Sequence, residues 1–183
     1  LATVRRKYNL PERYWLFIGT LQPRKNIARL VQAYRLWRAQ NPADSAALVL
    51  AGWQGWLYDP AWTHGGEGVH TTGYIDDADK GALYAGALAL VFPSLYEGFG
   101  FPVLEAMGVG TPVIASRTSS PPELVGSAGL LVDPLEVSSI AQAMTQLVRD
   151  ESLSASLRQH GAAQASTFTW ESAAQQALAA LES

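Results

Sequence analysis

The sequence contains no cysteine, which removes disulfides and thiolate metal ligands and leaves nothing on which to argue an oxidising compartment. It has no apolar run near the roughly 18 residues that a membrane-spanning helix needs, and its opening Leu1-Ala-Thr-Val-Arg-Arg-Lys7 lacks the apolar centre of a signal peptide. Charge is sparse, at 16% of 183 residues, while hydrophobic residues make up 48%. That balance argues against disorder and suits one well-buried domain. Acid is scarcest where base is densest. Nine of the thirteen basic residues (Arg5, Arg6, Lys7, Arg13, Arg24, Lys25, Arg29, Arg35, Arg38) fall in the first 38 positions, with Glu12 the only acid among them. The asymmetry suggests an anionic partner, although Arg29, Arg35 and Arg38 also fit the solvated face of a helix. No interleaving of aromatic and basic residues supports nucleic acid as that partner.

What is present is an alternation of short apolar runs with segments of helical period. The runs are Tyr14–Ile18, Ala46–Ala51, Val69–Thr72, Leu88–Phe92, Pro112–Ala115 and Gly129–Val132. Helices are expected at Asn26–Arg38, Asp79–Ala85 and Pro102–Met107, with three more after Val132. In the first of these Ile27, Leu30, Val31, Tyr34 and Trp37 recur with a helical period, and Asn26 is placed to cap its N-terminus. The same pattern returns with Val137, Ile140, Met144, Leu147 and Val148, and in the last segment with Trp170, Ala174, Ala177, Leu178 and Leu181. Continuous apolar strands separated by helices predict an α/β fold, one doubly wound parallel sheet covered on both faces. Gly52–Gly68 has no clean period and reads as a long loop. Its Trp53, Trp56 and Trp62 either pack beneath that loop, the commoner outcome, or form a stacking platform.

In open parallel sheets ligands bind beyond the carboxyl ends of the strands, so the residues just after each apolar run are the first place to look for a site. After Tyr14–Ile18 comes Gly19-Thr20-Leu-Gln-Pro-Arg24-Lys25-Asn26. After Val69–Thr72 comes Gly73-Tyr-Ile-Asp-Asp77-Ala-Asp-Lys80. After Leu88–Phe92 comes Ser94-Leu-Tyr-Glu97-Gly98-Phe99-Gly100-Phe101-Pro102-Val-Leu104-Glu105. Glycines allow a sharp turn or a close backbone approach, Pro102 suits a first helical turn, and such a turn offers unpaired N–H groups to an anion. Arg24 and Lys25 add fixed positive charge suited to a diphosphate. One such charge pair is worth about 4 kcal/mol at 4 Å before desolvation.

Two glutamates also raise glycoside hydrolysis, whose carboxyls lie about 5–10 Å apart across the scissile bond. Eight helical steps would set the two α-carbons about 12 Å apart, and the glycines put Glu97 in a loop ahead of the helix bearing Glu105. The two carboxylates then have separate tasks: Glu97 for the sugar end of a ligand, Glu105 for ribose hydroxyls, with phosphates on the turn between. Glu105 also fits a plain exposed helical position.

The segment Glu97-Gly-Phe-Gly-Phe-Pro-Val-Leu-Glu105-Ala-Met resembles the E-x7-E motif of retaining glycosyltransferases of family 4, which have the GT-B fold. The likeness extends through Gly19-Thr-Leu-Gln-Pro-Arg-Lys-Asn26, Gly108-Val-Gly-Thr-Pro-Val-Ile-Ala-Ser116, Ser120-Pro-Pro-Glu-Leu-Val-Gly126, Gly129-Leu-Leu-Val-Asp-Pro134 and Phe168-Thr-Trp-Glu171, and so covers essentially the whole chain.

The resemblance implies that residues 1–183 form the C-terminal, Rossmann-like, nucleotide-sugar-binding half of a GT-B enzyme whose N-terminal acceptor domain is absent from this chain. It implies that Arg24 and Lys25 contact the donor diphosphate beside Gly19 and Thr20, and that Glu97 contacts the transferred sugar. Backbone N–H groups around Gly98, Phe99, Gly100, Phe101 and Leu104 would bind sugar and phosphate, and Glu105 the ribose. Glu97, Arg24 and Lys25 are then the catalytic candidates. Thr20 stands where many members carry a second arginine, a pattern that points to a mannosyltransferase-like subgroup.

Asp77 and Lys80 give a physical handle on the base, because guanine offers N1–H and N2–H2 donors to a carboxylate and O6 to an ammonium. The Ile75-Asp-Asp77-Ala-Asp-Lys80 stretch resembles one in GDP-mannose-using members, and this resemblance makes GDP-mannose the favoured donor, with a UDP-sugar the alternative. The expected reaction is retaining hexosyl transfer to a glycan or lipid-linked acceptor without a bound metal. Asp77-Ala-Asp79 has the letters of a metal motif but the setting of a helix start. The expected location is cytoplasmic, at the membrane face for the full-length protein. The chain begins where the interdomain linker would end, so it is expected to bind donor with little or no turnover. A non-catalytic binding module and a phosphorylase- or epimerase-like relative are the competing classes.

Overall fold

The computed structural model describes residues 1–62 and 67–182 of the chain. A short helix α1 (Ala2–Lys7) leads to β1 (Tyr14–Ile18), a 3-10 turn at Pro23–Lys25 and α2 (Ile27–Gln40), followed by β2 (Ala47–Ala51) and β3 (Val69–Gly73). Then come α3 (Asp77–Ala85), β4 (Leu90–Phe92), α4 (Phe101–Gly108), β5 (Val113–Ser116), α5 (Pro121–Val125) and β6 (Leu130–Val132). The chain ends in three helices, α6 (Val137–Arg149), α7 (Glu151–Ala165) and α8 (Trp170–Glu182).

The six strands form one parallel sheet in the order β3-β2-β1-β4-β5-β6. The chain starts in the middle, works outward to β3, then crosses back to β4 beside β1. Apolar character tracks position in the sheet. Every residue of β1, β2, β4 and β5 is buried, whereas the edge strand β3, Val69-His-Thr-Thr-Gly73, is partly exposed. A central strand meets helices on both faces and must be apolar throughout; an edge strand need not be. Helix α2 packs on α6, while α4 packs on α3, α5 and α7, so two groups of helices, joined where α6 meets α7, cover the sheet. The core is anchored by large aromatics, with Trp15 edge-on to Trp37 at 5.3 Å and Phe17 stacked on Phe92 at 5.9 Å. Burying each such side chain contributes about 1.5–3 kcal/mol.

Three expectations need correction. The helices α1 and α5 went unpredicted, because each is a turn or two long and neither carries a full amphipathic repeat. Asn26 precedes α2 but does not cap it with its side chain. It sits in the left-handed region at φ 61°, and its buried Nδ2 donates to the carbonyls of Pro93 (3.0 Å) and Pro134 (2.6 Å). Finally, the apolar stripe of α8 is left largely exposed: Trp170 is 79% exposed and Leu181 85%.

Four of the nine basic residues in the first 38 positions are neutralised by acids from later in the chain. Lys7 pairs with Asp76 and Asp79, Arg13 with Asp44, and Arg24 and Lys25 with Glu97. Chain folding brings later acids onto earlier bases.

Candidate functional site

The strand order reverses between β1 and β4, and the loops that leave those two strands meet there. The β1 loop carries Arg24 and Lys25 on its 3-10 turn, and the β4 loop carries Glu97. The backbone joins the loops where the Leu95 N–H donates to the Arg24 carbonyl at 2.9 Å, and the Asn26 amide stitches the same turn to Pro93.

Side chains complete the junction. Lys25 Nζ donates to Glu97 Oε1 at 2.6 Å; Arg24 Nη1 donates to Glu97 Oε2 at 3.0 Å and to the Tyr96 carbonyl at 2.6 Å. Glu97 and Lys25 are each only 8% exposed, and the ammonium also lies 4.9 Å from the Phe92 ring centre. Burial pushes the Glu97 carboxyl up, but Lys25 and Arg24 together outweigh it and hold the group below its ordinary value. Ser94 adds to that pull by proximity, although its buried hydroxyl makes no aligned hydrogen bond. Glu97 is therefore a carboxylate at neutral pH, an acceptor of hydrogen bonds and not an acid.

The Glu97 backbone is fixed from the other side by the loop after β5. Ser119 Oγ accepts from the Glu97 N–H at 3.1 Å and donates to its carbonyl at 2.7 Å, and Ser120 Oγ donates to the Phe99 carbonyl at 2.6 Å. Beyond Glu97 the chain turns through Gly100, at φ 110°, into α4, with Pro102 in the first turn. Leu124 Cδ1 would stand 3.2 Å from a Cβ at Gly100, so both the dihedral and the space favour glycine. The amides of Gly98, Phe99 and Gly100 have no protein acceptor among the described residues. They form a run of free donors just ahead of α4, of the kind that suits an anion.

Glu105 belongs to a different compartment. It lines a cavity of about 330 Å³ together with Gly19, Thr20, Trp53, Tyr74, Lys80 and Phe101, whereas Arg24, Lys25 and Glu97 lie outside that lining. The Tyr84 hydroxyl, buried in the cavity floor, donates to Glu105 Oε2 at 2.7 Å. Burial pushes the Tyr84 phenol far up, and the Glu105 carboxylate pushes it the same way, so it stays a donor. The floor comes close to Gly52, where a Cβ would lie 2.1 Å from the Gly19 carbonyl oxygen.

Sequence expectations divide here. Arg24, Lys25 and Glu97 come together, Gly98–Phe101 and Leu104 line the turn into α4 beyond them, and Gly19, Thr20, Lys80 and Glu105 share the neighbouring cavity. Asp77 does not line it. Its side chain is 83% exposed and pairs with Lys80 at 2.6 Å. Asp79 turns to Lys7 and Tyr8, which hold its carboxyl below the ordinary value. Of the three loop tryptophans, Trp62 packs against Tyr58, but Trp53 and Trp56 are 65% and 66% exposed, against the expectation of burial. Residues 63–66 of that loop lie outside the described residues. Sequence reasoning missed Tyr84, Ser119 and Ser120. A tyrosine on a helical apolar face signals core, and a serine run after a strand signals a turn, so neither gave warning.

The family model described as glycosyl transferases group 1 matches residues 3–164. The chain is 42% identical over 181 residues to O-antigen chain mannosyltransferase B of Escherichia coli, covering 96% of this chain and 47% of that protein. It is 33% identical over 184 residues to the serotype-specific mannosyltransferase WbdA of Escherichia coli, covering 97% of this chain and 23% of that protein. The chain thus spans about half of one relative and a quarter of the other. Among solved structures, sucrose-phosphate synthase from Thermosynechococcus elongatus superposes with a TM-score of 0.77 at 30% identity, over 100% of this chain and 48% of that one. Anabaena Alr3699/HepE, solved with UDP and glucose, shares the fold with a TM-score of 0.82 at 24% identity, over 100% of this chain and 51% of that one. A matched model over most of the chain and relatives at this identity assign it to a family: the chain belongs to the glycosyl transferases group 1.

Proposed function

We propose that this chain is the donor-binding part of a retaining mannosyltransferase that takes GDP-mannose and passes the sugar to a glycan or lipid-linked acceptor. The observation that carries the reading is the largely buried Arg24–Glu97–Lys25 cluster at the sheet's reversal point, set beside a row of free amides and the Glu105 cavity. The choice of mannose is supported by two relatives named mannosyltransferases.

In this reading a nucleoside diphosphate enters with its ribose on Glu105, whose second oxygen is left over from the Tyr84 bond, and its phosphates on the amides of Gly98–Gly100. Arg24 and Lys25 now share one carboxylate, and an incoming diphosphate with more negative charge draws them across. Glu97, still ionised, is released to accept hydrogen bonds from sugar hydroxyls. When the bond between the anomeric carbon and the phosphate oxygen breaks, negative charge builds on the diphosphate, and fixed cations and amides stabilise it there without reorganising. Acceptor binding belongs to a part of the full-length protein outside this chain.

Calorimetry with GDP, UDP and ADP on the 183-residue chain tests the donor. GDP is expected to bind tightest, with Lys25→Ala and Glu105→Ala each weakening it. Preference for UDP overturns the base assignment, and no nucleotide binding overturns the donor site. The chain alone is expected to transfer no hexose, and measurable turnover would contradict that.

A further inference from the structure

Trp53 and Tyr74 line the cavity and are left uncovered, at 65% and 52% exposed. Trp15 and Trp37 are fully buried and Trp62 packs against the core, whereas Trp56 and Trp170 are at least as exposed as Trp53 but do not line this cavity. Trp53 therefore fills no gap in the interior. Its ring and that of Tyr74 are stacked, 6.1 Å between centres and 28° between planes, although the two come from separate loops after β2 and β3. Both loops leave their strands through a glycine at positive φ, Gly52 at 138° and Gly73 at 71°. Two loops thus converge to hold a pair of aromatic rings beside the one lysine and one glutamate of the cavity, Lys80 and Glu105.

We propose that the Trp53 indole, braced by Tyr74, is the face on which the donor's nucleobase stacks. This rests on the donor-site reading above. A nucleoside diphosphate with its phosphates on the Gly98–Gly100 amides and its ribose on Glu105 can set its base against the part of the lining that carries Trp53, Tyr74, Ile75 and Lys80. A planar, apolar face matches what any base offers, and stacking of this kind accounts for about 1–3 kcal/mol per base, or roughly five- to 150-fold in affinity. Because every base has such a face, Trp53 supplies affinity and Lys80 supplies choice, through a base carbonyl oxygen that can accept from its ammonium. Asp77 is not needed for that choice, since its carboxylate lies outside the cavity.

The test measures dissociation constants for GDP and for inorganic pyrophosphate by calorimetry on the wild-type chain, Trp53→Ala and Trp53→Phe. Trp53→Ala is expected to weaken GDP about 10- to 100-fold and leave pyrophosphate unchanged, and Trp53→Phe to keep most of the GDP affinity. As Trp53 is largely exposed, thermal melting of both variants should match wild type. Trp53→Ala binding GDP like wild type overturns the stacking role alone, as does equal loss of GDP and pyrophosphate. A wild-type chain that binds neither GDP nor UDP overturns the donor site first and this inference with it.

Discussion

The two halves of the candidate site are built on opposite plans. On one, Arg24, Lys25 and Glu97 are ion-paired, with Lys25 and Glu97 buried, the two loops tied by backbone and Ser119 holding Glu97. On the other, Trp53, Tyr74 and Glu105 stand open to solvent around a cavity. The first side already has its charges satisfied, so a ligand must compete for them. The second has unmet surface and gains by being covered. Such a division would let recognition of base and ribose supply binding energy while the charged side responds to the diphosphate.

The comparison breaks most visibly at Lys25. Lys25→Ala leaves the buried Glu97 with one cation in place of two, and is expected to cost about 3 kcal/mol of stability in chemical denaturation. If the cost is that of an uncompensated charge, adding Glu97→Gln recovers part of it. Additive losses would mean the cluster is not coupled.

A smaller effect is expected on the open side. Glu105→Ala strands the buried Tyr84 hydroxyl and should cost about 1–2 kcal/mol. Tyr84→Phe removes the donor instead, leaving the exposed carboxylate to water, and should cost less. The reverse order, measured by thermal unfolding, would show that the contact does not matter.

The acid limb of stability sharpens the contrast. Glu97 has its folded pKa depressed below 4.5, so its contribution is fully present above the ordinary carboxylate value and is lost as pH falls through the folded one. Wild type should lose stability below about pH 4.5 more steeply than Glu97→Gln. Identical slopes would remove Glu97 as a cause. The smallest effect is predicted far from both sides: Leu178→Ser on α8, where the leucine is 59% exposed, should change stability by less than about 0.5 kcal/mol.

Much of the fold was legible in the sequence. Tyr14–Ile18 was bounded to the residue, and Pro102 and Gly100 announced the start of α4 because a fixed φ and a positive φ leave few alternatives. The pairing of Arg24 and Lys25 with Glu97 could not be read, since sequence separation of 72 or 73 says nothing about contact. The same holds for Tyr84: its apolar helical setting gave no sign that its hydroxyl would meet Glu105. Trp53 was misread for the opposite reason, because tryptophan is so often buried that composition argues for packing wherever a loop allows it.

By itself the sequence determined which segments become strands, that they form a parallel sheet covered on both faces, and which loops carry glycine, charge and carboxylate beyond their ends. Local conformational limits and the need to bury apolar residues on two faces are the reason. Only the tertiary structure decided that Glu97 would neutralise Arg24 and Lys25, that Glu105 would fall in a separate cavity, and that Trp53 would be left open beside it. Those outcomes depend on strand order, which brings β4 next to β1 and sets two distant loops against each other.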